Sequence, residues 1–384
     1  MFITEDVRYI GVDDRKTDLF EGQYKIPNGI AYNSYIIFDK KIAVMDTADV
    51  AFGEEWLGKL ECELRGRTPD YLVVHHMEPD HSANIFNFKK KYPTATIVAS
   101  AKAFGMMSAF FGEDFADNRI IVSDGDTLTL GEHTLSFVTA PMVHWPEVIM
   151  SYDMKDKILF SADAFGKFGA LDSDEEWCDE ARRYYIGIVG KYGAQVQAVL
   201  KKASALDIKI ICPLHGPILS ENLGYYLDKY NTWSSYLPEE DGIVIAYSSI
   251  YGNTKRAVLE LCDMLKSRTA SSVKAYDLAR CDTSFVVSEA FRYSKLVLAS
   301  TTYNADVFPF MKDFINHLTE RNFSNRTVGI IENGSWAPMA MKVIKSMLEN
   351  SRGLKFTETA VTIKSSLSDT SRDALHTLAD ELTR

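Results

Sequence analysis

Clustered histidines and carboxylates, each set just beyond an apolar extended run, constrain this chain more than any other feature. The run from Tyr71 to Val74 is apolar, and directly after it the chain reads HHMEPDH, placing His76, Glu78, Asp80 and His81 within six positions. Further on, His144 sits in MVHWPE, Asp163 in FSADAF and His215 in CPLHGP, again directly after apolar runs. Loops at strand ends are where ligands gather, so these segments are expected to converge at one edge of a layered fold. In an extended chain alternate side chains share a side, so His76 and Glu78 point one way. Asp80 and His81 lie beyond the turn set by Pro79 and can face a second point.

The set amounts to four imidazoles and three carboxylates, enough to give each of two metal ions two histidines and one carboxylate, with a further Asp shared between them. A shared carboxylate holds two ions at a separation that suits a diatomic molecule. Imidazole and carboxylate without thiolate suit iron, manganese or zinc, and the share of carboxylate leans toward iron. Any single His or Asp after a strand is more often a satisfied polar residue; the constellation carries the reading. His75 alternates with His76 and is read as structural. His133 in a turn and His317 on a helix are read as surface residues.

At 384 residues the chain exceeds one comfortable core, and domains of roughly 100 to 200 residues make two the expectation. Up to about position 230 short strands alternate with turns and helices: strands from Ser34 to Phe38 and Ile208 to Ile211, a hairpin of Thr127 to Leu130 with Thr134 to Val138, and helical periodicity in Glu54 to Leu64 and Glu175 to Lys202. The polar segment Trp233 to Gly242, WSSYLPEEDG, marks a domain boundary, giving domains 1–241 and 242–384. Beyond it the apolar runs IVIAY, VKAYDL, KLVLAS, TVGII and FTETAVTI alternate with helix-length segments, the pattern of a doubly wound parallel sheet. A net charge of -11 without basic blocks argues against nucleic acid and against an anionic membrane surface. Five unpaired-looking cysteines, an acidic amino terminus and the lack of an apolar run long enough to span a bilayer predict a cytoplasmic protein.

After IVIAY the chain reads SSIYGNTKRAV. This turn, Ser248, Ser249, Ile250, Tyr251, Gly252, Asn253 and Thr254, offers hydroxyls, backbone N–H groups and a helix N-terminus to a monophosphate. It lacks the glycine patterns of nucleotide triphosphate and dinucleotide loops. TTYNADVFP supplies Thr302, Tyr303, Asn304 and Ala305, and ENGSWAP supplies Gly334, Ser335 and Trp336, both after strands at the carboxyl edge where such sheets bind ligands. Tyr303 and Trp336 can flank an isoalloxazine ring, so FMN is the expected cofactor.

The sequence H-x-E-x-D-H followed by His144, Asp163 and His215, together with the second half, resembles the flavodiiron proteins over essentially the whole chain. The resemblance implies an α/β architecture: a metallo-β-lactamase-like αββα sandwich followed by a flavodoxin-like doubly wound parallel sheet. It implies that His76, Glu78 and His144 bind one iron, Asp80, His81 and His215 the other, with Asp163 bridging. Zinc hydrolases of the wider metallo-β-lactamase superfamily usually carry His where Glu78 stands, which weighs against the rival reading of a binuclear zinc hydrolase fused to a flavodoxin domain. The family activity implied is reduction of dioxygen to water or of nitric oxide to nitrous oxide, with electrons passed through FMN. No C-x-x-C pair follows the flavodoxin-like stretch, so the expected donor is a separate rubredoxin or, as in methanogen relatives, a reduced deazaflavin (F420H2). A head-to-tail homodimer, or a dimer of such dimers, is the implied assembly.

Overall fold

The computed structural model describes residues 1–113 and 115–384. The chain packs as two units, Met1–Tyr185 with Tyr192–Asn231, and Ile186–Lys191 with Thr232–Arg384.

In the first unit one sheet runs in the order Val7–Tyr9, Tyr35–Ile37, Ala43–Met45, Tyr71–Val73, Thr96–Ala99, Arg119–Ile121. Its first two pairings are antiparallel and the remaining three parallel. A second sheet runs Thr127–Thr129, Thr134–Thr139, Ile149–Asp153, Ile158–Phe160, Ile210–Cys212, antiparallel except for its last pairing. The inward faces of both bury one core: Val7, Ile37, Met45, Val73 and Val98 from the first, and Leu135, Phe137, Ile149, Phe160 and Cys212 from the second. Alternation explains the pairing face in Thr134–Thr139, where Leu135 and Phe137 are buried between more exposed neighbours. The helix Gly53–Leu64 buries Trp56, Leu60 and Leu64, spaced by one turn, and so covers a sheet with one face only. The helix Ala101–Phe111 starts where the Ser100 side chain accepts from the Ala103 amide and stops at Gly112, whose φ of 70° suits glycine. These layers make the metallo-β-lactamase-like sandwich.

The stretch from Glu175 to Lys202 departs from a single helix. It divides into α-helices Trp177–Tyr184 and Gly193–Ala203, joined by a π turn over Tyr185–Val189 and a 3-10 turn over Gly190–Tyr192. Gly187, Gly190 and Gly193 sit at this interruption, and glycine costs about 1 kcal/mol relative to alanine within a helix.

The second unit is a parallel sheet in the order Ser272–Asp277, Glu240–Tyr247, Tyr293–Tyr303, Thr327–Asn333, then Lys355–Phe356 and Val361–Ile363. This is the flavodoxin order, in which the strand sequence reverses beside the first strand. Helices Asn253–Lys266 and Asp369–Leu382 bury Leu261, Leu265, Leu375 and Leu378 against Ile245, Val297 and Ile331. Ile243 to Tyr247 are all buried, so both faces of that strand are covered. FTETAVTI forms two short strands and not one: Glu381 and the Thr359 carbonyl take the Thr359 amide and the Thr357 hydroxyl, bonds that replace the ladder there.

Among the described residues no helix is long and apolar enough to cross a membrane. No disulfide joins any of the five cysteines.

Candidate metal centre and flavin cleft

The strand Tyr71–Val73 ends at the metal loop, and Pro79 opens the short helix Pro79–Ser82 at its first position, where a missing N–H costs nothing. Asp80 and His81 therefore project from a helical turn while His76 and Glu78 precede it. His144 lies between the strands Thr134–Thr139 and Ile149–Asp153, Asp163 follows Ile158–Phe160, and His215 follows Ile210–Cys212. The ends of both sheets meet there.

The seven residues form two groups. In the first, His76 Nε2 lies 3.3 Å from Glu78 Oε2, 3.3 Å from His144 Nε2 and 3.4 Å from Asp163 Oδ2. His144 Nε2 lies 3.0 Å from Glu78 Oε2 and 3.1 Å from Asp163 Oδ2. In the second, His81 Nε2 is 3.1 Å from His215 Nε2, both are 3.3 Å from Asp80 Oδ2, and Asp163 Oδ1 lies 3.3 Å from His81 Nε2. Asp163 thus turns one carboxylate oxygen to each group.

Ligand atoms about 2.1 Å from a shared ion, at angles near 100°, sit about 3.2 Å apart. The observed separations fit that geometry. Glu78 is hydrogen-bonded to His76 and His144, but both oxygens of Asp80 and of Asp163 are buried without a hydrogen-bond partner, as is His81 Nδ1. Buried polar atoms are normally satisfied, and such a concentration of exceptions at one point suits a cation site. The tautomers agree. His76 Nδ1 donates to Glu147 Oε1 at 2.8 Å and His215 Nδ1 to the Ala31 carbonyl at 2.8 Å, so each Nε2 presents a lone pair to its group.

The electrostatics also call for positive charge. Burial opposes the charged forms throughout, yet Asp163 is held well below the usual carboxylate range by His76, His144 and His81. Burial likewise disfavours the His76 imidazolium, but Asp163, Glu147 and Glu78 raise it well above the ordinary value, and Asp163 and Glu78 bring His144 up to about 9. Protons gather where cations are wanted.

Other residues of this site carry no signal in the sequence reading. Phe20, Tyr32 and Tyr184 surround His215 with ring centroids at 5.5, 6.0 and 5.4 Å, and Trp145 packs edge-on to His76 at 5.2 Å. The Tyr184 hydroxyl is buried without a partner. Glu21, exposed on the turn between Leu19–Phe20 and Tyr24–Lys25, approaches Glu78, and desolvation of its carboxyl together with the charge of Glu78 pushes it up to about 7. His75 faces elsewhere: Nδ1 contacts Asp46, whose φ of 55° places its other oxygen 2.7 Å from the His75 amide, and Nε2 lies 2.7 Å from Ser151 Oγ. The surface reading of His133 is overturned. It is fully buried, with Nδ1 at 3.0 Å from Asp153 and Nε2 at 3.3 Å from Asp6, because the hairpin folds back on the amino-terminal segment. His317 is half-buried on the helix Pro309–Glu320.

In the second unit a cleft of about 550 Å³ is lined by Ser249, Ile250, Tyr251, Asn253, Thr254, Thr302, Asn304, Ala305, Gly334, Ser335 and Trp336, as the three loops predict, and also by Thr301, Asn333, Ala337, Met339 and Ser365. Tyr251 and Trp336 are 93% and 92% exposed at this cleft, two large aromatic faces without packing partners. Gly252, at φ 88°, precedes the helix Asn253–Lys266 without a side-chain cap of its own; Ser249 Oγ accepts from the Lys255 amide at 3.2 Å, which leaves the Asn253 and Thr254 amides for an anion, and Thr301 Oγ1 is a buried hydroxyl without a partner. Those features suit a phosphorylated flat ring. Three predicted residues are not part of the lining: Gly252 lies in the turn behind it, Ser248 is buried with its hydroxyl 3.3 Å from Ser300 Oγ, and Tyr303 packs on Phe308, at 5.4 Å, beside a separate depression. A fourth loop was not foreseen; Ser365 enters because Asn333 binds both its carbonyl and its amide.

The family described as ODP family beta lactamase matches residues 30–216. An anaerobic nitric oxide reductase flavorubredoxin of Aliivibrio fischeri is 30% identical over 94% of this chain and 74% of that protein. The chain belongs to the flavodiiron family. The flavodiiron protein of Giardia intestinalis superposes with a TM-score of 0.91 at 26% identity, covering 99% of this chain and 96% of that one. The rubredoxin oxygen:oxidoreductase of Desulfovibrio gigas shares the fold with a TM-score of 0.92 at 24% identity, covering 100% and 98%. Membership of the flavodiiron family makes the chain an oxidoreductase of a type that carries FMN and a di-iron site.

Proposed function

We propose that this flavodiiron chain reduces a diatomic gas, nitric oxide to nitrous oxide or dioxygen to water, at two irons fed with electrons through FMN from a separate rubredoxin-type donor. The observation that carries the reading is Asp163, whose two oxygens face different imidazole groups. In this reading His76, Glu78 and His144 would hold one iron, Asp80, His81 and His215 the other, and Asp163 both; the domain of residues 242–384 would hold FMN, with Ser249 to Thr254 taking its phosphate and Tyr251 and Trp336 offering apolar faces to its ring. When bound, FMN supplies two electrons and the ferrous pair two more, the four that dioxygen requires and more than the two required by a pair of nitric oxide molecules.

The chain's own groups set the conditions for that chemistry. Glu147 and the Ala31 carbonyl orient His76 and His215 by accepting hydrogen bonds from their Nδ1–H groups. Phe20, Tyr32, Tyr184 and Trp145 keep bulk water from the imidazoles by packing on them. Glu78 retains 14% side-chain exposure, more than the other six, which marks the open side by which a gas would enter. The relative in Aliivibrio fischeri is named a nitric oxide reductase and the protein of Desulfovibrio gigas a rubredoxin oxygen:oxidoreductase, which supports both substrates for this chain.

The test is gas consumption by the iron- and FMN-loaded protein with reduced rubredoxin, counting electrons. One electron per nitric oxide or four per dioxygen supports the reading. Consumption of neither gas, with ester or thioester hydrolysis by the zinc form, defeats it.

A further inference from the structure

Glu147 lies three positions after His144 on the same loop, and its side chain is completely buried. Its Oε1 accepts from His76 Nδ1 at 2.8 Å and from the Met77 amide at 2.9 Å, while its backbone carbonyl accepts from Ser100 Oγ at 2.8 Å. Its Oε2 has no partner. A buried carboxylate with one unsatisfied oxygen is a poor choice for a purely architectural anchor, because a neutral acceptor would hold the Met77 amide without the desolvation of a charge. The contact that needs the charge is the one to His76.

We infer that Glu147 is a positioning residue that makes the two metal positions unequal, by backing His76 with a carboxylate where His215 is backed by a neutral carbonyl and His81 by nothing. The inference rests on the reading of these seven residues as iron ligands. A carboxylate can only accept, so the proton stays on His76 Nδ1 and the Nε2 lone pair is fixed toward Glu78, His144 and Asp163. An imidazole hydrogen-bonded to a carboxylate is also the more basic donor. His215 Nδ1 meets the Ala31 carbonyl, which orients the ring with less gain in basicity, and His81 Nδ1 is buried without a partner. The iron held by His76, Glu78 and His144 is therefore the more electron-rich of the pair. One loop serves both purposes, since it presents His144 directly and steadies His76 through Glu147.

The experiment compares the full chain, loaded with iron and FMN, with Glu147→Gln and Glu147→Ala. Glutamine keeps an oxygen for His76 and Met77 and removes the charge; alanine removes both. FMN content and thermal unfolding report the fold, chelator competition reports iron affinity, and the Mössbauer spectrum reports each iron separately. In Glu147→Gln the expected result is an intact fold and FMN content, an affinity for one of the two irons weakened about 10- to 100-fold, and a change confined to one iron's Mössbauer doublet. Glu147→Ala should approach one iron per chain. Both variants holding two irons at parental affinity with unchanged spectra would overturn the inference. So would a Glu147→Gln protein that loses fold and FMN together, since that assigns Glu147 to architecture. A parent protein that takes up no iron defeats the reading of the site itself, an outcome distinct from both.

Discussion

Trp336 illustrates how a side chain can add little to the core and still be open to a ligand. It is 92% exposed at the rim of the cleft, so it contributes little to the core, yet it offers an apolar face beside Ser335 and Gly334. An aromatic contact of this kind is worth about 1 to 1.5 kcal/mol, so Trp336→Ala should raise the Kd for FMN about five- to tenfold while leaving the unfolding temperature unchanged. Fluorescence titration of the apoprotein with FMN measures this; an unchanged Kd removes Trp336 from the flavin site. The metal residues are of the opposite kind. Asp80 and Asp163 are buried with unsatisfied oxygens, so their cost to the fold is recovered only when cations are present.

At the scale of elements, the hairpin Thr127–Thr129 with Thr134–Thr139 is tied to the amino terminus through His133. Burial opposes the His133 imidazolium, but the Asp153 and Asp6 carboxylates outweigh burial, with Lys155 opposing them, and raise it above the ordinary value of about 6.5. Glu132 pairs with Lys155, and Asp156 donates its amide to Asp153, so the cluster is acidic on balance. A group raised on folding stabilises in full below its unfolded value and loses that contribution as pH rises through its folded value. Thermal unfolding of the parent should therefore fall on going from pH 6 toward alkaline pH by more than in His133→Gln, and equal slopes would contradict the ion pair. His133 also shows where sequence reading stops. Its position in a turn suggested the surface, and only the long-range return of Asp6 buries it. The ligand loops were legible because each follows an apolar strand whose end must reach the sheet edge. Glu147, Tyr184 and Ser365 were not, since they act through contacts that no local pattern encodes. The π and 3-10 interruption at Tyr185 to Tyr192 had a visible signal in Gly187 and Gly190 within it and Gly193 at its end.

For the whole molecule, the flavin and the irons occupy different domains in the proposed function, and electron transfer slows steeply with distance. A head-to-tail homodimer would place the FMN of one protomer against the irons of its partner. Diluting the loaded protein through its dimer dissociation constant should then lower turnover per chain, with FMN and iron content constant. Turnover independent of concentration in a demonstrated monomer would show that each chain is sufficient alone. Either result leaves the metal centre to be tested by itself, and the substitution Asp163→Asn does so most directly, because it keeps the size of the shared group and removes one of its two ligating oxygens. Iron content and gas turnover are measured together in parent and variant. The expected result is two irons in the parent, and in the variant at most one tightly held iron with turnover reduced more than about 100-fold. A variant that keeps two irons and consumes gas at the parental rate would contradict the role of Asp163 as the bridge on which the proposed chemistry depends.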